Sequence, residues 1–168
     1  MKHSVFVLFG IAACTLTLAC DSPGAPRDVA ALGARLAAWQ PDSGATLAHG
    51  FYNSAVDPER AVVADSLTWA AVWAQVTSPT SALPAVDFTT YRVLVAALGE
   101  RSSGGYDIRI DSIAQFERGN VAYVTTIAPG STCGTTQALT QPLHILRVPA
   151  DLAQDLVWDN RAVVRDCS

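Results

Sequence analysis

Tyr91-Arg92-Val93-Leu94-Val95-Ala96-Ala97-Leu98 and, one loop later, Tyr106-Asp107-Ile108-Arg109-Ile110-Asp111 are the stretches that decide the fold. The first is almost wholly apolar and rich in β-formers, the pattern of a central strand covered on both faces. The second alternates Tyr106, Ile108 and Ile110 with Asp107, Arg109 and Asp111, the period of a half-exposed strand. Downstream, Phe116 to Asn120 reads as a turn, with Gly119-Asn120 able to take positive φ. Val121 to Ile127 is then the return strand and Leu143 to Val148 another. Leu156 to Trp158 with Ala162 to Val164 reads as a final hairpin around Asp159-Asn160. Upstream, Trp69, Val72, Trp73 and Val76 fall at i, i+3, i+4 and i+7, which predicts a helix over Ser66 to Val76. Asp65 or Ser66 can cap it, and Ser78-Pro79-Thr80 stops it. Leu47 to Ser54 and Arg60 to Ala64 are short strand candidates joined at Asp57-Pro58. Val29 to Trp39 is Ala-rich and reads as a short helix interrupted by Gly33. The expected class is α+β, a mainly antiparallel β-sheet with one amphipathic helix packed on it and the option of a second, N-terminal helix.

The N-terminus speaks about compartment. Lys2 and His3 precede an uncharged run from Val5 to Ala19, shorter than the roughly 20 residues a spanning helix needs. A basic start, a short apolar stretch and small residues before a cut form the pattern of a removed signal peptide, residues 1–19. Leu18-Ala19-Cys20 resembles a lipobox, in which Cys20 is diacylated and becomes the mature N-terminus. Ile11-Ala12-Ala13-Cys14 is the competing site, and a plain secretory signal with an incidental Cys20 the further alternative. The expectation is a bacterial envelope protein, in the periplasm or at the cell surface, held to the membrane by its N-terminal lipid. Residues 20–45 are then lipidated terminus, tether and short helix, and 46–168 the domain.

After such a cut the chain keeps ten Arg and no Lys against fifteen Asp plus Glu, a net charge of −5. An acidic domain with scattered Arg offers no phosphate-tracking basic patch, which argues against nucleic acid. Of the four cysteines, Cys133 and Cys167 remain for the domain. Outside the cytoplasm they can persist as a disulfide, two free buried thiols being the alternative. No metal or cofactor is expected, since only His49 and His144 accompany the cysteines and no ligand pair has the required spacing.

Two loops are candidates for function. In Gly99-Glu100-Arg101-Ser102-Ser103-Gly104-Gly105-Tyr106, paired Gly open backbone paths closed to other residues. Binding side chains concentrate on such loops between rigid strands, and Tyr and Arg are frequent interface anchors. Glu100, Arg101, Gly104, Gly105 and Tyr106 are therefore the candidate binding residues, with an ordinary loop and a local Glu100–Arg101 ion pair as the plain alternative. The second loop, Pro129 to Gln137, runs toward His144 beside many hydroxyls. A Ser–His hydrolase is a weak reading, because no Gly-x-Ser-x-Gly elbow is present; no catalytic residue is assigned.

Taken in order, several segments resemble the PrcB C-terminal domain family. They are Trp69 with Trp73, Pro84-Ala85-Val86-Asp87-Phe88, Val93-Leu94-Val95, Leu98-Gly99-Glu100-Arg101 and Gly104-Gly105-Tyr106. Ala128-Pro129-Gly130, Gln137-Ala138-Leu139-Thr140 and Pro142 to Pro149 continue the likeness, which covers roughly residues 60–149. Leu143, where an aromatic is expected, and the Cys133/Cys167 pair depart from the family. The resemblance implies a non-enzymatic envelope lipoprotein, an accessory subunit that binds and stabilises a protein partner such as a protease. A rival is a peptidase inhibitor, since Ser103-Gly104-Gly105-Tyr106 is similar to a loop of chagasin-like inhibitors.

Overall fold

The structure, a computed structural model, describes residues 28–51, 53–77 and 81–167. The expected signal peptide and Cys20 lie outside the described residues. Eight strands form two four-stranded sheets. Sheet A has the order β1 (Arg35–Trp39), β5 (Asp107–Phe116), β6 (Gly119–Pro129) and β8 (Leu156–Arg165). Sheet B has the order β2 (Thr46–Gly50), β7 (Leu143–Pro149), β4 (Tyr91–Leu98) and β3 (Pro58–Val63). All neighbours are antiparallel except β6 and β8. The helix α1 (Ser66–Val76) spans the residues its periodicity predicts, so the α+β class holds, although the expected single sheet is two sheets packed face to face.

Sheet B is the middle layer. On β4, Leu94 and Ala96 join Ile108, Ile110, Ile113, Ala122 and Val124 of sheet A in one core. Val93, Val95 and Ala97 meet Trp69, Trp73 and Val76 of α1 in the other. Adjacent side chains of a strand point to opposite faces, so β4 is apolar at every position from Val93 to Leu98, where it lies between two cores. β7 shows the same division, with Leu146 and Val148 in the inter-sheet core and Leu143 and Ile145 beneath the helix. Leu143, departing from the expected aromatic, packs in the cluster that the Trp pair already fills.

The helix is fastened at both ends. Asp65 accepts from the Thr68 amide at 2.8 Å as N-cap, and the Thr77 amide donates to the Trp73 carbonyl at 3.0 Å. The Trp69 indole N–H donates to the Pro84 carbonyl at 2.9 Å, which ties the segment leading into β4 to the helix. Among the described residues no helix is long and apolar enough to cross a membrane.

Two expectations are corrected. Val29–Trp39 is not a helix: Val29–Leu32 is one 3-10 turn, Gly33 follows at φ +85°, and Arg35–Trp39 is the edge strand β1 paired with β5. Four residues are too few to offset the cost of nucleating a helix, and pairing with β5 overrides the Ala propensity. β1 also brings part of the stretch read as tether into the sheet. The second correction is that Leu156–Arg165 is a single strand rather than a hairpin, and Asp159-Asn160 pass straight through it. The turn comes earlier, at Asp155 with φ +45°. There the buried Asn120 donates its side-chain amide to the Asp151 and Gln154 carbonyls at 3.0 and 2.8 Å. This clasp delivers the chain alongside β6 in parallel, because β7 has just crossed to the other sheet.

Cys133 and Cys167 are disulfide-bonded across a sequence separation of 34 residues. The bond fixes the end of β8 to the loop after β6, where the Gly130 amide also donates to the Arg165 carbonyl at 2.8 Å. Loop-closure entropy for such a separation is worth about 3 to 4 kcal/mol. Replacing both cysteines by Ser is expected to lower the unfolding free energy by about that amount. Unreduced wild type is expected to leave both residues unlabelled by a thiol reagent, and full labelling in oxidising buffer would refute the bond.

Candidate functional site

The loop from Gly99 to Tyr106 leaves the buried end of β4 with Gly99 at φ +76°; a Cβ there would lie 2.8 Å from the Pro58 nitrogen. Its backbone is then held along its length. The Glu100 amide donates to the Val56 carbonyl at 2.9 Å, and Arg101 and Thr140 exchange two backbone bonds of 2.7 and 3.0 Å. The Gly104 amide donates to the Thr136 carbonyl at 3.0 Å. The buried Thr140 hydroxyl donates to the Ser103 carbonyl at 2.8 Å. The two loops that stand out in the sequence are thus one platform at one end of sheet B, and the Cys133–Cys167 bond anchors its far side.

The candidate binding residues divide within this platform. Gly104 and Gly105 serve close approach: a Cβ on Gly104 would fall 2.5 Å from the Thr136 hydroxyl, and Gly105, at φ +88°, lies against Pro129 and Thr135. Arg101 does not pair with Glu100. Its guanidinium donates to the Leu98 carbonyl at 2.7 Å and stands 5.8 Å from the centre of the half-buried Tyr106 ring. Glu100 is exposed, held by the Gln141 side-chain amide at 3.2 Å.

Sequence reasoning missed the apolar rim of this platform. Phe51, Val56 and Leu139 are 42%, 56% and 57% exposed. The Phe51 carbonyl accepts from the Gln141 amide at 2.7 Å and the Val56 carbonyl from Glu100, while Leu139 immediately precedes the Arg101–Thr140 bridge. Phe51 and Val56 from one stretch, and Leu139 from another far along the chain, thereby present apolar side chains beside Glu100. No local periodicity marks them; only the pairing of the segments brings them together.

His144 belongs to a second cluster, on the inter-sheet side of β7. Its Nδ1 accepts from the Ile110 amide at 2.9 Å, so the ring proton sits on Nε2, 3.4 Å from the Thr46 hydroxyl. The Ile110 position adjoins a register shift in β5, where one extra residue moves the inward series from Ile110 to Ile113. His49 stands against the His144 ring with centroids 4.7 Å apart. His49 Nε2 meets the Asp107 carboxylate at 2.8 Å, and Arg109 approaches the same carboxylate at 3.6 Å. Burial, reinforced by His49, pushes His144 down to about 4 although Asp107 opposes the shift. Neutral, with its lone pair committed to an amide, His144 meets no Ser within hydrogen-bond reach among the described residues, so the Ser–His arrangement has no geometry here. Nor do three His, Cys, Asp or Glu side chains gather as a ligand set among the described residues.

The fold and platform define a helix-faced β-sandwich whose most elaborated surface is a braced pair of loops. Residues 92–149 match the family described as PrcB C-terminal. The match runs from β4 to the end of β7 and contains both loops. No curated protein and no solved structure matches the chain.

His144 makes stability depend on pH. Its folded pKa of about 4 lies below the ordinary 6.5, so between these values the unfolded chain binds the extra proton. Stability is complete above about pH 6.5 and falls as pH drops toward 4, by on the order of 1 to 3 kcal/mol. Denaturant midpoints from pH 7 to 4 are expected to decline more steeply for wild type than for His144→Gln. Parallel profiles would remove His144 as the source.

Proposed function

We propose that this chain is a non-catalytic accessory subunit of the bacterial cell envelope, exported, lipid-anchored through Cys20, and binding a protein partner such as a protease through the braced loops. The observation that carries the reading is the exposed rim of Phe51, Val56 and Leu139 around Glu100 on a platform whose backbone is already fixed. Interfaces gain from preorganised loops, because less ordering entropy is lost on association, and apolar anchors rimmed by polar groups are the usual composition of contact surfaces. The PrcB C-terminal match supports it by covering both loops. The Cys133–Cys167 bond supports export, since such bonds persist in oxidising compartments.

The informative variants are Leu139→Asp and Glu100→Lys, because Arg101 and the two Gly have structural duties. In a pull-down of the lipidated chain from its own envelope, both are expected to melt like wild type. Capture of the partner should fall on the order of tenfold or more, as at interface anchors. Undiminished capture by folded variants would reject the platform as the contact surface. Inhibition of a cysteine-protease panel by the chain alone would make the same surface an inhibitor site instead.

A further inference from the structure

β8 is an end strand of sheet A, ten residues long, with an unbroken register against β6 and neither bulge nor proline. Carbonyls of odd-numbered residues face β6: Asp155 accepts from the Asn120 amide and Arg165 from Gly130. By the alternation of a strand, the amides and carbonyls of Leu156, Trp158, Asn160, Ala162 and Val164 point away from the sheet. Among the described residues no strand pairs with that side. Proteins ordinarily blunt so long an edge, yet here the disulfide and Gly130 hold its end extended. Val164, 65% exposed, adds an uncovered apolar side chain.

The sequence of this edge is complementary to itself. Turned antiparallel about a two-fold axis at Asn160, a second β8 sets Asp159 opposite Arg161 and Arg161 opposite Asp159. Trp158 meets Ala162, and Leu156 meets Val164. The outward-pointing residues then face one another as hydrogen-bonded pairs, each exchanging two backbone bonds. Asp159 and Arg161 fall in the closer, non-hydrogen-bonded positions, where opposite charges attract most strongly across strands. The two neighbouring registers that keep the same faces together put Asp159 against Asp159 or Arg161 against Arg161. The Asn160 side chain stays clear of the edge, because Arg60 of β3 donates to its oxygen at 3.0 and 2.8 Å.

We propose that β8 is a self-pairing edge, a second copy of this chain adding its own β8 antiparallel about Asn160 so that two four-stranded sheets continue as one of eight strands. The surface is distinct from the loop platform and stands whether or not that platform binds a protease. Sedimentation equilibrium of the full chain in density-matched detergent is the test. Wild type is expected to show a monomer–dimer equilibrium. Asp159→Arg should raise the dissociation constant about tenfold or more, as like charges come to face each other. Asp159→Arg combined with Arg161→Asp should restore it. Ala162→Pro, which removes one outward amide at a position an edge strand tolerates, should yield monomer with near-normal melting and keeps the test decisive if the charge variants misfold. A wild type that stays monomeric, or a dimer that Asp159→Arg and Ala162→Pro leave intact, would overturn the proposal.

Discussion

The burial of sheet B on both faces is the constraint from which the rest of the molecule follows. Over Val93–Ala97 of β4 and Leu143–Leu146 of β7 there is no wet side, so the backbone groups must be paired within the sheet and the side chains must fill two cores at once. β2 and β3 complete the sheet at its edges, α1 covers one face and sheet A the other. The polar side chain that breaks this rule, His144, is tolerated because both ring nitrogens find partners and the ring stays neutral. The register shift in β5 lies where the Ile110 amide turns to His144, so the accommodation of one buried polar group is written into the neighbouring strand.

Much of the fold was legible because strong local patterns agreed with the tertiary outcome. The Trp69–Trp73 stripe, the doubly buried run Tyr91–Leu98 and the alternation from Tyr106 each state their own burial. Failures came where local preference was weak and a distant partner decided. Val29–Trp39 has helical composition, but Gly33 divides it and β5 offers an edge. Asp159-Asn160 is a turn signal only if nothing pairs with the flanking residues, and β6 pairs with all of them. The division into two sheets was invisible for the same reason: it depends on which strands find each other across long loops.

The candidate site shows a subtler mixture. The Gly-rich loop was conspicuous, and its Gly do occupy positions where a Cβ would collide. Their purpose, however, is to let one loop lie against another, which a linear reading cannot separate from backbone shaped for a ligand. The exposed apolar rim carried no signal at all, because Phe51, Val56 and Leu139 are unremarkable until the loop hydrogen bonds bring their segments together. The family match, confined to β4 through β7, covers the loops and the doubly buried strands but not the helix or the outer strands.

The placement of β8 has a consequence for how the chain matures. Sheet A has its first strand near the start of the described chain and its last at the end, with β1 paired to a strand some 80 residues away, Arg35 opposite Phe116. Sheet B joins Thr46 to Leu146. Contacts of such separation form slowly, since a long loop must close before any interaction rewards it. Sheet B is incomplete until β7 is available, and sheet A until β8. A nascent chain that has not yet supplied β8 therefore lacks its finished sandwich, whatever local pairing its earlier strands have made.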